Sequence, residues 1–90
     1  MSYNSVSVTT SATLIVGANP RRQSLIITNT DSTNKLYLGS DNLVTTSNGI
    51  EIGTGSNLTE DNGGSKVYCG DVWGISTGTI NVRYWERTEQ

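Results

Sequence analysis

The feature that most constrains this chain is its rhythm. Short runs of alternating apolar and polar residues follow one another from end to end, each closed within a few positions by glycine, asparagine, aspartate, serine or proline. No stretch places apolar residues at i, i+3, i+4 and i+7, so no amphipathic helix is expected. Val6 and Val8 share one face, with Ser5, Ser7 and Thr9 on the other, and Leu14 and Val16 alternate with Thr13 and Ile15. Asn19-Pro20 starts a turn, after which Gln23 to Asn29 carries Leu25-Ile26-Ile27, apolar on both faces as in a central strand or an oligomer contact. Further strands are expected at Lys35–Gly39, Leu43–Thr46, Ile50–Ile52, Ser56–Glu60, Lys66–Cys69, Asp71–Ser76 and Thr79–Arg87. The Asn-Gly pairs between them are read as turns with positive φ. In the last segment Ile80, Val82 and Tyr84 line one face, and Asn81, Arg83 and Trp85 the other.

This pattern predicts a single all-β domain over residues 1–90, a compact antiparallel β-sandwich or small jelly-roll-like barrel of about eight to nine short strands. Residues 1–10 could instead form an extended arm that adds a strand to a neighbour. Composition sharpens the expectation. Serine, threonine, asparagine and glycine make up 43 of the 90 residues, leucine, isoleucine and valine only 20, and phenylalanine is absent. A domain of this size buries only about 60 to 65% of the surface its unfolded chain exposes. So lean a core is expected to be completed by partner subunits, with Val6, Val8, Leu25, Ile27 and Trp85 packed against other chains.

Several kinds of chemistry are disfavoured by what is missing. Histidine is absent, which removes the usual general base, the Ser-His and Cys-His nucleophiles and the commonest zinc ligand. Cys69 is the only cysteine and has no disulfide partner in the chain. No apolar run approaches the roughly 18 to 20 residues of a membrane span, and the first residues lack a secretion signal, so a soluble, cytosolically synthesised protein with no membrane partner is expected. Six basic against eight acidic residues leave no footprint for nucleic acid. The pairs Glu60-Asp61 and Glu86 with Glu89 sit in a turn and in a tail, neither of them an apolar pocket. The expectation is a non-enzymatic protein with no catalytic, metal or cofactor-binding residue and no cofactor.

The segments Asn19-Pro20-Arg21-Arg22-Gln23-Ser24-Leu25-Ile26-Ile27-Thr28-Asn29, Lys35-Leu36-Tyr37-Leu38-Gly39, Val44 to Gly49, Val67 to Ile75 and Asn81-Val82-Arg83-Tyr84 together resemble a pattern of small tailed-bacteriophage virion proteins. Those β-sandwich modules carry an N-x-x-R-x-x-L-x-I-x-N strand, a V-Y-L-G strand and a glycine-flanked hairpin. The resemblance covers roughly Ala18 to Trp85. It implies a structural virion protein of the capsid decoration or cement type, or part of a head or tail fibre. Such a protein would bind the outer shell as a small homo-oligomer, with a trimer favoured, and touch the major capsid protein or another virion protein. The alternative it leaves open is a tail-fibre or baseplate module that binds host surface carbohydrate.

Arg21 and Arg22 either dock on carboxylates of a neighbour or form a solvated turn that protects a strand edge. Trp73 is expected in the core in place of the missing phenylalanine. Trp85, opposite Ile80 and Val82, is expected to be exposed, as an interface anchor or, with Tyr84, as a stacking platform for a sugar ring.

Overall fold

Alternation of this kind pairs into sheets, and in the computed structural model, which describes residues 2–61 and 67–88, it forms two. The strands are β1 (Ser2–Val8), β2 (Thr13–Val16), β3 (Arg22–Asn29), β4 (Leu36–Gly39), β5 (Ile50–Ile52), β6 (Asn57–Asp61), β7 (Val72–Ser76) and β8 (Ile80–Thr88). One sheet has the order β1-β8-β3-β6 and the other β2-β7-β4-β5, with every pairing antiparallel. The molecule is therefore the expected all-β sandwich. Val8, Leu25, Ile27 and Val82 from the first sheet meet Ile15, Leu36, Leu38 and Val72 from the second to form the core. Within the segment read as a possible arm, Ser2–Val8 is strand β1 and pairs with this chain's own β8 from Ser2↔Glu86 to Val8↔Ile80.

Two bulges set the phase of the core. Between Leu14 and Val16 the register with β7 shifts, so Ile15 and Val16 both turn inward while Leu14 faces out. Strict alternation had placed Leu14 and Val16 together. Ile15 is accommodated by Gly74, where an added Cβ would lie 2.6 Å from Ile15 Cδ1. A second shift, between Arg22 and Ser24, brings Arg22 into phase with Leu25, Ile27 and Asn29 on the inner face of β3.

That phase overturns part of the expected interface. Val8, Leu25 and Ile27 are covered by the chain's own opposing sheet, so they offer nothing to another subunit. Arg22 is buried as well and does not dock outward. Its Nε meets Glu86 Oε2 at 2.7 Å, Nη1 donates to the carbonyls of Tyr68 (2.9 Å) and Gly70 (3.1 Å), and Nη2 donates to that of Gly17 (2.8 Å). Its guanidinium thus ties β3 and β8 of one sheet to the segments flanking β2 and β7 of the other. Glu86, expected in a tail, is held in β8 by this pair and by Ser2 Oγ at 3.1 Å. At the far end of β3 the buried Asn29 does the same work, with Nδ2 donating to the carbonyls of Asn34, Ile52 and Gly53. The N-x-x-R-x-x-L-x-I-x-N strand therefore carries core residues between two polar end clamps.

Other expectations also yield to local hydrogen bonding. Leu43–Thr46 is a loop, because Asp41 Oδ1 accepts from Leu43 N, Asn48 Oδ1 from Thr45 N, and Thr45 Oγ1 from Ser47 N and Asn48 N. Its Val44 is buried close against Gly39, where an added Cβ would lie 2.7 Å from Val44 Cβ. Val67–Cys69 is not a strand either. Among the described residues only Gly55 has positive φ, and the Asn48-Gly49 turn is closed without it, by Gly49 N donating to the Thr45 carbonyl (2.9 Å) and Thr45 N to Asn48 Oδ1 (2.7 Å). Trp73 lies on the outer face of β7, half-buried, while Val72 and Gly74 face inward. The expected turn at Asn62-Gly63-Gly64, with Lys66 and Glu89, falls outside the described residues.

Candidate binding face

The outer face of the β1-β8-β3-β6 sheet gathers residues scattered through the sequence. Pairing of β8 with both neighbours sets Tyr3, Trp85 and Ile26 in one row across the strands, and Ser5, Arg83 and Thr28 in the next. Trp85 is 48% exposed, Tyr3 74% and Ile26 38%, so the first row is apolar surface in water. The Tyr3 and Trp85 rings stack with centroids 5.8 Å apart and planes 22° apart, which fixes the indole as a wall standing on the sheet. Beside it opens a hollow of about 530 Å³, bordered by Tyr3, Ser5, Ile26, Thr28, Arg83 and Trp85. Among the described side chains, the ion pairs are Arg22–Glu86 and Lys35–Glu51, and Arg83 meets no carboxylate.

Of the candidates read from the sequence, Trp85 stands in this face, with Ile26 from the Leu25–Ile27 run. Tyr84 borders the hollow, but it shares a face with Ile80 and Val82 and packs on the core, so it offers no free ring to a sugar. Val6 is half-buried against the core. Arg21 is exposed at the turn, where its backbone N donates to Asn19 Oδ1 at 3.0 Å, away from the Trp85 row. The sequence reading missed Tyr3, Ser5 and Thr28; Ile26 lay within the Leu25–Ile27 run read as an oligomer contact, and Arg83 had been placed on one face with Trp85. Only the register of β1 and β3 on β8 brings these residues together.

Further exposed apolar side chains lie elsewhere. Leu43, in the 40–49 loop, is 73% exposed, and Ile50, on β5, is 63% exposed. Ile50 and Tyr68 border a cleft of about 360 Å³ between the sheets, above Leu25, Leu38, Leu58 and Val72. Cys69 is half-buried, with its Sγ 3.5 Å from the carbonyl oxygen of Val67. The Asp31 carboxylate accepts from Asn34 N (2.6 Å) and Thr33 N (2.9 Å), and these two bonds hold its pKa below the usual carboxylate value. Among the described residues no three Cys, Asp or Glu side chains come together as a metal site would require.

No protein-family model, curated protein or solved structure matches the chain.

Proposed function

We propose that this chain is a non-enzymatic structural protein of a phage particle, a decoration protein held on the outside of the shell by surface contact. The observation that carries the reading is apolar side chains left uncovered in separate regions, Leu43 in the 40–49 loop and Ile50 on β5 in one, and the Tyr3, Trp85 and Ile26 row of the other sheet. In a chain so poor in apolar residues, leaving these outside the core is what a molecule built to touch others does. Leu43 and Ile50 form the particle-facing side in this proposal. The resemblance of the strand segments to small virion proteins supports the setting. Repetition on a lattice raises the effective concentration at neighbouring sites, so each contact need be only modest. With Val8, Leu25 and Ile27 committed to its own core, the chain has less need of a homo-oligomer than its composition suggested.

Quantifying the protein in purified particles tests this. Copies in the hundreds, accessible to surface labelling, are expected, and a handful of copies or none overturns the proposal. A second reading, a module that binds host surface carbohydrate, is favoured by the hollow beside the Trp85 ring. The two are compatible, since one surface can hold the particle while the other faces outward.

A further inference from the structure

We infer that the hollow on the β1-β8-β3-β6 face is a binding site for a carboxylated saccharide, a uronate- or sialate-type residue. This rests on the reading of the Trp85 face as a working contact surface and names what it contacts. Three chemistries meet there. The indole of Trp85, braced on one side by Tyr3, offers an apolar wall, continued by Ile26 on the next strand. A pyranose presents a matching C–H face, and stacking of this kind tolerates an otherwise hydroxylated ligand. In the adjoining row Ser5 and Thr28 flank Arg83 on either side. Rows separated by two residues along a strand lie about 7 Å apart, so one sugar on the wall carries its substituents to the second row. There two hydroxyl side chains meet sugar hydroxyls. The Arg83 guanidinium, which has no carboxylate partner among the described residues, meets the ligand's carboxylate through paired charge-assisted bonds.

The other occupants of such a face fit less well. A second copy docked about a two-fold axis would set the basic outer residues of β8, Arg83 and Arg87, against their own counterparts. A protein partner would need about 800 Å² on this side for a stable interface. Four strands spaced about 4.8 Å apart and about 25 Å long on average give a flat footprint of only about 480 Å². A ligand of one or two sugar rings matches a hollow of about 530 Å³ bounded by a single aromatic wall. Repetition on a particle would make weak single-site binding effective.

The test is calorimetric titration of the purified full chain with trigalacturonate and 3′-sialyllactose, and with the neutral probes maltotriose and lactose. At least one acidic probe is expected to bind at least tenfold more tightly than either neutral probe, with binding that weakens as salt rises. Arg83→Ala and Trp85→Ala are each expected to lose about tenfold to a hundredfold, with Arg83→Lys between Arg83→Ala and wild type. Both residues lie on the outer face, so circular dichroism and the melting temperature should show the variants folded. Equal binding of acidic and neutral probes, or unchanged binding by folded Trp85→Ala, overturns the inference. So does the absence of binding to any probe. If no probe binds while Trp85→Ala strips the protein from particles, the face is a shell contact and the decoration reading stands without this one. If the acidic probes bind but the protein is missing from particles, the reverse holds.

Discussion

Replacing Arg22 by alanine should cost a large share of this domain's stability. The side chains of Arg22 and Glu86 are 0% and 7% exposed and meet at 2.7 Å. Without the guanidinium, the Glu86 carboxylate keeps, among the described residues, Ser2 Oγ at 3.1 Å, and the carbonyls of Gly17, Tyr68 and Gly70 lose this donor. Removing one partner of a buried pair costs about 3 to 5 kcal/mol, because the remaining charge stays buried. A 90-residue domain has a total of roughly 4 to 14 kcal/mol, so Arg22→Ala should lower the melting temperature by about 12 °C or more. Urea unfolding followed by the fluorescence of Trp73 and Trp85 would measure it. Arg22→Lys should recover little, since an ammonium cannot span the forked set of acceptors. The double variant Arg22→Met with Glu86→Leu removes both charges and should lose less than the sum of the two single changes, with a coupling of about 2 kcal/mol. A loss below about 1 kcal/mol for Arg22→Ala, or strict additivity in the cycle, would refute the claim that this pair clamps the sheets together.

Gly74→Ala places a Cβ 2.6 Å from Ile15 Cδ1 and should cost about 1 to 3 kcal/mol, partly relieved by Ile15→Val, which removes that methyl and leaves Leu36 Cδ1 at 3.0 Å. Chemical denaturation of the single and double variants checks the relief. Asn29→Ala removes the donor to three carbonyls at a buried position and should cost about 2 to 4 kcal/mol by the same assay. The pKa of Asp31 is lower in the folded chain than its ordinary value of 3.8. Its carboxylate therefore favours the native state above that pH, and the contribution is lost as pH falls through the folded value. The melting-temperature gap between wild type and Asp31→Ala should thus shrink progressively below pH 3.8.

The strand class was legible because period-two alternation and turn residues are local properties, and β8 illustrates the best case. Ile80 and Val82 face in and Arg83 and Trp85 face out, as the sequence pattern had them. What local pattern cannot carry is phase across a bulge. The shift at Leu14/Val16 turned Leu14 out, and the shift at Arg22/Ser24 turned a residue read as a surface arginine into the interior. Nor can it carry a partner 64 positions away, which is where Arg22 finds Glu86. The 40–49 loop shows the same limit from the other side. Leu43-Val44 looks like a strand until the side chains of Asp41, Thr45 and Asn48 satisfy the backbone first. The binding face was half legible. Trp85 announced itself by parity, but Tyr3 joined it only through the antiparallel register of β1 on β8.

The central claim is attachment to a particle through apolar surface left outside the core, and re-addition of the purified chain to particles assembled without it tests that most directly. Saturable rebinding of the wild-type chain to many sites per particle is expected. Leu43→Ser with Ile50→Ser, both at exposed positions, should abolish rebinding while leaving the fold intact. Failure of the wild-type chain to rebind, or undiminished rebinding by the folded double variant, would contradict the account.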